Sequence, residues 1–430
     1  MTTDRDVLHP TAEQALHGGL GTARLTALHA PWLVLTVSAA YNQHMIPRHA
    51  QATLEQLAAS FPVVAVTGPR QSGKSTLVRA LFADHPYTSL EDPDQREFAT
   101  DDPRGFLAQF PGGAVLDEVQ RCPALLSYLQ GRVDQSGRLG EWILTGSQQF
   151  GMVSAVTQSL AGRVGMLALL PFARDELQAA QQLPEQLNEA LWRGGYPPIY
   201  DRPVEPTLWY GSYVQTYLER DVRQLLGVRD LTLFQRFLRL TAGRTGQLLN
   251  QSALAEETGV SHNTIREWLS VLEASYIIHR LPPHHNNFNK RLVKTPKLYM
   301  LDTGLASWLL GIESAQQIDT HPLRGALFET WVVAEHLKAR WNAGRPSNLY
   351  FWRDRAGREV DLVIERGGRL QPVEIKAGAT VTRDALRGLE RWCELAGDEA
   401  AGARLIYAGS EAREQRGIRI QPWRSAMLVV

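Results

Sequence analysis

The sequence predicts an α/β protein: a parallel sheet wrapped by helices near the N-terminus, a helical middle, and a second, smaller α/β unit at the C-terminus. Three observations predict this. Short, almost continuous apolar runs recur at 62–67 (PVVAVT), 114–117 (AVLD), 142–145 (WILT) and 166–170 (MLALL), as in strands buried on both faces of a parallel sheet. From 172 to about 240 the text becomes helical (DELQAA, LFQRFLRL), broken by Gly194–Gly195 and Pro197–Pro198, which form turns. After a linker-like 311–322, a long helix, three strands, a helix and further strands follow.

Length and composition set the outer bounds. A chain of 430 residues suggests about three domains. Its 44% hydrophobic and 21% charged residues are globular composition. The 45 basic residues balance 45 acidic ones, so any basic surface for a nucleic acid must be local. Cys122 and Cys393 stand alone, too few for a disulfide framework or a zinc site, which fits a reducing cytoplasm. The apolar stretch at 31–40 (PWLVLTVSAA) follows acidic Asp4 and Asp6 and falls short of the roughly 20 residues that span a bilayer, so no membrane segment is expected. Residues 1–44 show no sustained periodicity. The folded unit is expected to start near Met45, with 1–44 either a loose extension, an upstream start-site artefact or an arm docked on the first domain.

GPRQSGKS at 68–75 matches G-x-x-x-x-G-K-[ST] in full, following an apolar strand and opening the helix TLVRALF. Gly68 and Gly73 let backbone N–H groups turn inward around phosphates, with Pro69, Arg70, Gln71 and Ser72 forming the loop between them. Lys74 is expected at the β- and γ-phosphates of ATP, Ser75 at Mg²⁺, and Thr76 in the first helical turn. In AVLDEVQ, Asp117 and Glu118 end a buried strand, where ligands bind in open α/β sheets. Asp117 would hold Mg²⁺ and Glu118 would polarise the attacking water. ILTGSQQ at 143–149 offers Ser147, or Thr145, to place that water, although T-G-S is equally turn chemistry. Arg163, in SLAGRVG, is either an arginine delivered to a neighbouring subunit's γ-phosphate in a homo-oligomer or a plain surface residue.

GPRQSGKST, LDEVQ, ILTGSQ, LAGR, LLPFARDEL, RGGYP and TYLERDV, in this order and spacing, resemble the AAA-type ATPases of bacteria and archaea that carry a C-terminal domain of unknown function. The resemblance covers the chain from Met45 onward. It implies a P-loop NTPase core of the AAA type, a helical lid, a winged helix and a restriction-endonuclease-like tail. The boundaries expected are 45–171 for the ATPase core, 172–240 for the lid, 241–310 for the winged helix and 319–430 for the tail.

Residues 250–281 read as two helices around a turn at Gly259, with Ser261 capping the second. Ile265, Trp268, Leu269 and Leu272 share its apolar face. His262, Asn263, Thr264, Arg266 and Glu267 are left toward solvent, near the end that meets base edges in DNA-reading helices. The ribbon that follows carries Lys290, Arg291 and Lys294, as a basic wing would. Such a module also serves only for packing or assembly in some ATPases. His284 and His285, without further ligands, read as solvated.

In the tail, Glu329 sits in the helix GALFETWVVAEHLKARW, Asp361 in the strand EVDLVIE, and Glu374 and Lys376 in LQPVEIKAG. Residues two apart on a strand point to one face, and a tight turn between the strands brings Asp361 against that pair. Asp361 and Glu374 would hold Mg²⁺ or Mn²⁺, with Lys376 at the attacking water and Glu329 completing the shell from the rim. The αβββαβ order with E…D…E-x-K resembles the PD-(D/E)XK nucleases, although Val360 stands where those have proline. A salt-bridge cluster on a sheet and a fold that binds DNA without cutting it remain open beside an active nuclease. The function expected is ATP hydrolysis coupled to DNA binding or cleavage. The alternative is a nucleotide-gated DNA-binding regulator, or a protein-binding switch, with a silent tail.

Overall fold

The computed structural model describes residues 45–147, 159–218, 230–284, 294–426 and 428, all within one unit, Met45–Val430. The expectations for 1–44, Lys290, Arg291 and His285 lie outside the described residues.

Helix α1 (Ala50–Ala58) leads into β1 (Val63–Thr67), followed by α2 (Lys74–Leu81), β2 (Tyr87–Ser89), α3 (Pro93–Asp101), α4 (Pro103–Ala108), β3 (Ala114–Asp117), α5 (Leu125–Ser136), β4 (Trp142–Gly146) and β5 (Val164–Ala168). The strands form one parallel sheet in the order β2-β3-β4-β1-β5. Every residue of β1, β3 and β4 is buried. Side chains alternate between faces: Val63, Ala65, Leu116 and Leu144 pack with Phe106 and Leu125, while Val64, Val66, Val115 and Ile143 pack with Leu54 and Leu77. A parallel sheet covered on both faces needs such continuous apolar strands, and that is why the sequence announced them.

The middle of the chain is helical: α6 (Arg174–Ala179), α7 (Leu187–Arg193), α8 (Pro198–Asp201), α9 (Pro206–Tyr213) and α10 (Leu231–Ala242). Then come β6 (Gln247–Leu248), α11 (Gln251–Thr258), α12 (His262–Ala274), β7 (Ile278–Leu281) and β8 (Lys297–Met300), with the strands antiparallel in the order β6-β8-β7. Gly259 ends α11 at φ +83°, a left-handed conformation that glycine adopts freely. Ser261 Oγ accepts from Thr264 N at 3.1 Å and starts α12. Ile265, Trp268, Leu269 and Leu272 are buried, and Asn263, Arg266 and Glu267 are exposed.

The C-terminal part holds α13 (Thr303–Leu309), α14 (Ala315–Thr320), α15 (Arg324–Asn342), β9 (Leu349–Arg353), β10 (Glu359–Arg366), β11 (Arg369–Lys376), α16 (Arg383–Ala396), β12 (Arg404–Tyr407), β13 (Arg413–Gln415) and β14 (Ile418–Pro422). Its sheet runs β13-β14-β12-β11-β10-β9. β9, β10 and β11 are antiparallel neighbours, and β12 lies parallel to β11. Helix α15 covers one face through Leu327, Phe328 and Val332 against Leu362 and Val373. Helix α16 covers the other through Leu386, Leu389 and Trp392 against Val363 and Leu405.

Two features tie these parts together. One apolar core runs from Ile46 and Phe172 through Phe234 and Trp268 to Phe328 and Val373. The middle of α15 also grips the loop after β5: Glu335 Oε2 accepts from Arg174 N at 2.7 Å, and Lys338 Nζ donates to Phe172 O at 2.8 Å. Among the described residues, no helix is long and apolar enough to cross a membrane.

Candidate functional site

Three adjacent strand ends, those of β1, β4 and β3, converge on one edge of the parallel sheet. Gly68 leaves β1 at φ +148°, and a Cβ there would lie 2.1 Å from Leu169 O. Gly73 follows at φ +92°. Both glycines are therefore demanded by the backbone path. Lys74 is buried at the start of α2, with its Nζ donating to Gly68 O at 3.1 Å and Pro69 O at 2.8 Å. Its charge is held inside the loop by the carbonyls it crosses. Arg48 buttresses the loop from behind, donating to Ser72 O at 2.8 Å and Leu170 O at 2.6 Å while pairing with Glu176 at 3.2 Å.

Ser75 Oγ lies 3.0 Å from both carboxylate oxygens of Asp117. Tyr87 donates to Asp117 Oδ2 at 2.6 Å, and Thr145 also hydrogen-bonds this carboxylate. Burial and the Asp117 charge raise the Tyr87 phenol well above its usual range, so it stays a donor. Glu118 adopts φ +59°, which costs a non-glycine residue and occurs where surrounding contacts enforce it. Its backbone N donates to Thr145 Oγ1 at 3.3 Å, and its Oε2 accepts from Gln120 and, at 3.3 Å, from Ser147. The predicted Ser147 and the alternative Thr145 thus both lie in this cluster. Tyr87 and Gln120 were missed; Gln120 stood legibly beside Asp117–Glu118, whereas no local signal marked Tyr87.

Arg163 precedes β5 at the opposite edge of the sheet, since Val63 pairs with Val164 at the strand starts. Arg163 Nη2 donates to Asp134 Oδ2 at 3.0 Å, so in this conformation it is ion-paired within its own chain.

A second cluster occupies the C-terminal sheet. The β10–β11 register pairs Leu362 with Val373, so one step further sets Asp361 opposite Glu374. On the other side, the β9–β10 register shifts between Val360 and Val363, a bulge of the kind that re-aims a side chain. Asp361 Oδ2 accepts from Ile375 N at 2.8 Å. Lys376 Nζ lies 2.6 Å from Glu374 Oε1 and 3.9 Å from Asp361 Oδ2. Glu374 also lines a groove of about 650 Å³ with Glu359, Trp352 and Arg387. Burial, then the Asp361 charge, raise the Glu374 carboxyl above its ordinary value. Burial alone would lower the Lys376 ammonium, but Asp361 and Glu374 outweigh it and raise it.

The expectation that Glu329 sits at the rim is corrected. Its side chain is 17% exposed and accepts from Lys297 Nζ at 2.8 Å and Tyr299 OH at 2.5 Å. Burial and Asp361 raise its carboxyl as well. Glu329, Glu359 and Asp361 bring one carboxylate oxygen each to within 4.8 Å of one another. Glu359 was legible as the neighbour of Asp361 on the same strand face. Lys297 and Tyr299 were not, because β8 is distant in sequence and reads as ordinary apolar strand. His284 is also corrected: it is buried, its ring packs edge-on against Tyr350, and its backbone N donates to Phe351 O.

A family model described as "AAA domain" matches residues 60–178. Two domains of unknown function, DUF8612 and DUF4143, match 184–316 and 324–425. The uncharacterized protein Rv2008c of Mycobacterium tuberculosis is 34% identical over 340 residues, covering 77% of this chain and 74% of its own. The chain belongs to the same family. Mb2031c of Mycobacterium bovis matches to the same extent. Among solved structures, the Walker-type ATPase PABY2304 of Pyrococcus abyssi covers 62% of this chain and 96% of its own, at 16% identity and a TM-score of 0.40. AMPPCP-bound DnaA of Aquifex aeolicus covers 52% and 85%, at 12% identity and a TM-score of 0.28. The N-terminal sheet of this family member is an AAA-type P-loop domain, as its strand order, its phosphate loop and the matched model agree.

Proposed function

We propose that the protein hydrolyses ATP at the loop after β1 and couples that turnover to a nucleic-acid-directed act of its C-terminal sheet. The observation that carries the ATPase reading is the meeting of Lys74, the Ser75–Asp117 pair and Glu118 at adjacent strand ends. Hard oxygen donors at Ser75 and Asp117 fit Mg²⁺, which when bound neutralises phosphate charge. Backbone N–H groups of Gly68–Thr76, Pro69 excepted, cradle the phosphates, and Lys74 exchanges its carbonyl partners for phosphate oxygens. Glu118, held by Ser147 and Gln120, takes a proton from the attacking water. ATPase assays with and without Mg²⁺ test this directly.

Arg163 lies a strand length from its own phosphate loop, so its proposed role is toward a neighbouring copy. Breaking the pair with Asp134 frees it. ATPase activity per subunit is then expected to rise with protein concentration, and mixing Arg163→Ala with Lys74→Ala subunits should restore part of it. Full activity in a dilute monomer removes the role.

The boundaries proposed are an ATPase core at 45–171, a helical lid at 172–240, a winged helix at 241–310 and a nuclease-like tail at 319–430. Exposed Asn263 and Arg266 at the start of α12, with Thr264 beside them, support DNA contact. Arg266→Ala should weaken duplex binding and lower its salt slope by about one unit, leaving DNA-free ATPase unchanged. An unaltered slope makes α11–α12 a packing module.

For the tail, the α15-β9-β10-β11-α16-β12 order, with Glu329, Asp361, Glu374 and Lys376 in one cluster, supports a metal-dependent nuclease of the PD-(D/E)XK kind. The carboxylates fit Mg²⁺ or Mn²⁺, which supplies Lewis acidity. Lys376 places positive charge beside the scissile phosphate. The grip of α15 on Phe172 and Arg174 supports coupling, since one helix carries Glu329 and touches the loop after β5.

A further inference from the structure

Lys297 is the first residue of β8, in the segment matched as DUF8612, yet its side chain reaches the segment matched as DUF4143. The side chain is 3% exposed, and its ammonium contacts Glu329 Oε1 at 2.8 Å and also pairs with Glu359. Tyr299, two residues along and therefore on the same strand face, donates to the same Glu329 oxygen at 2.5 Å. The Phe351 ring lies 5.7 Å away, within reach of a cation–π contact. Glu359 is already served by Arg353 Nη1 at 3.1 Å, so Lys297 is not needed to neutralise it. Three carboxylates gather within 4.8 Å; Arg353 serves Glu359 and Lys376 lies 3.9 Å from Asp361 within the same sheet, whereas the ammonium that joins Glu329 to Glu359 comes from the neighbouring sheet.

We propose that Lys297 is a latch: its ammonium takes the place of the divalent cation among Glu329, Glu359 and Asp361, and the tail binds metal only when β8 withdraws it. An ammonium and a metal ion compete for the same oxygens, because both are cations satisfied by several carboxylate contacts. The latch is held by a short bridge between Pro283 and Phe351 and by a 2.6 Å contact between the Thr245 and Thr330 hydroxyls. It also has a line to the first site. Tyr276, just before β7, hydrogen-bonds Thr67 at 2.7 Å, and Thr67 precedes Gly68 of the phosphate loop. One hydrogen bond thus joins the strand before the phosphate loop to the segment that leads into the sheet carrying Lys297. The latch rests on the tail reading only for its purpose, since cation binding is measurable without cleavage.

The test uses the full chain in an Asp117→Asn background, which removes the carboxylate assigned to the metal at the first site. Mn²⁺ binding is followed by the loss of the free-ion electron paramagnetic resonance signal. Lys297→Met, or Lys297→Gln should the first variant melt early, is expected to bind Mn²⁺ at least tenfold tighter than the parent, and adding Asp361→Asn should abolish the gain. Lys297→Arg should keep the parent's weak binding. In the parent, saturating Mn²⁺ should lower the protection of β8 amides from hydrogen exchange. Equal or weaker Mn²⁺ binding by a folded Lys297→Met protein, or unchanged β8 protection with Mn²⁺ bound at the tail, overturns the latch. Tighter binding with no cleavage of any nucleic acid supports the latch while removing the nuclease reading. Equal cleavage by parent and Lys297→Met at sub-saturating Mn²⁺ removes the latch and keeps the nuclease.

Discussion

Lys74→Ala is expected to abolish ATP binding, whereas Glu118→Gln keeps binding and loses hydrolysis. The two substitutions separate because their partners do. Lys74 crosses the loop on the carbonyls of Gly68 and Pro69, so its ammonium is placed to meet phosphate charge, and alanine leaves nothing there. Glu118 stands outside the Ser75–Asp117 pair that would hold Mg²⁺. Glutamine preserves its length and its hydrogen bonds to Gln120 and Ser147 but cannot accept the water's proton. General-base removal costs on the order of 10²–10⁴-fold in rate. Isothermal titration with ATP and a steady-state phosphate-release assay check the pair, and equal hydrolysis by wild type and Glu118→Gln removes Glu118 as the base.

The parts of the fold legible in the sequence were those whose signal is local. G-x-x-x-x-G-K-S is legible from its own backbone, since Gly73 turns at φ +92° to open the helix. The buried strands announced themselves because both faces are covered. Ser261 marked the start of α12 because a cap acts within one turn. What was illegible came from residues that meet across long sequence separations. Tyr87 reaches Asp117 from the neighbouring strand. Lys297 and Tyr299 reach Glu329 from a different sheet, and no periodicity encodes that distance. Helix α15 shows the same limit from the other side. Its Glu335 and Lys338 carry no local mark of burial, yet both are buried against Arg174 and Phe172, because α15 is covered by the tail sheet and by the first domain together.

Asp361→Ala is expected to eliminate divalent-cation-dependent cleavage while leaving ATPase intact, because the residues gathered around Asp361 are not those around Asp117. Its carboxylate belongs to both halves of the cluster. It lies in the triad with Glu329 and Glu359, and Lys376 Nζ lies 3.9 Å from its Oδ2 beside Glu374. Glu374→Ala should weaken cation binding, as a hard cation needs its oxygen ligands. Lys376→Ala should spare binding and lose roughly 10²–10³-fold in rate, the usual effect of deleting one transition-state charge contact. A helix-borne carboxylate at the rim would have been replaceable by water, but Glu329 is only 17% exposed and is held by Lys297 and Tyr299. Glu329→Ala should therefore be as severe as Asp361→Ala, and it also deprives the buried Lys297 of a partner. Protons compete with the cation here: burial and Asp361 push the Glu329 carboxyl up to about 7 and the Glu374 carboxyl up to about 8. Cation affinity should consequently fall as pH is lowered through that range, the reverse of the insensitivity expected for ordinary carboxylates already ionised there. The decisive measurement compares wild type, Asp361→Ala and Glu329→Ala on single-stranded, duplex and branched DNA with Mn²⁺ and ATP. Cleavage by wild type alone supports the site. If no protein cuts and all three bind DNA equally, the nuclease reading fails and the scaffold reading takes its place.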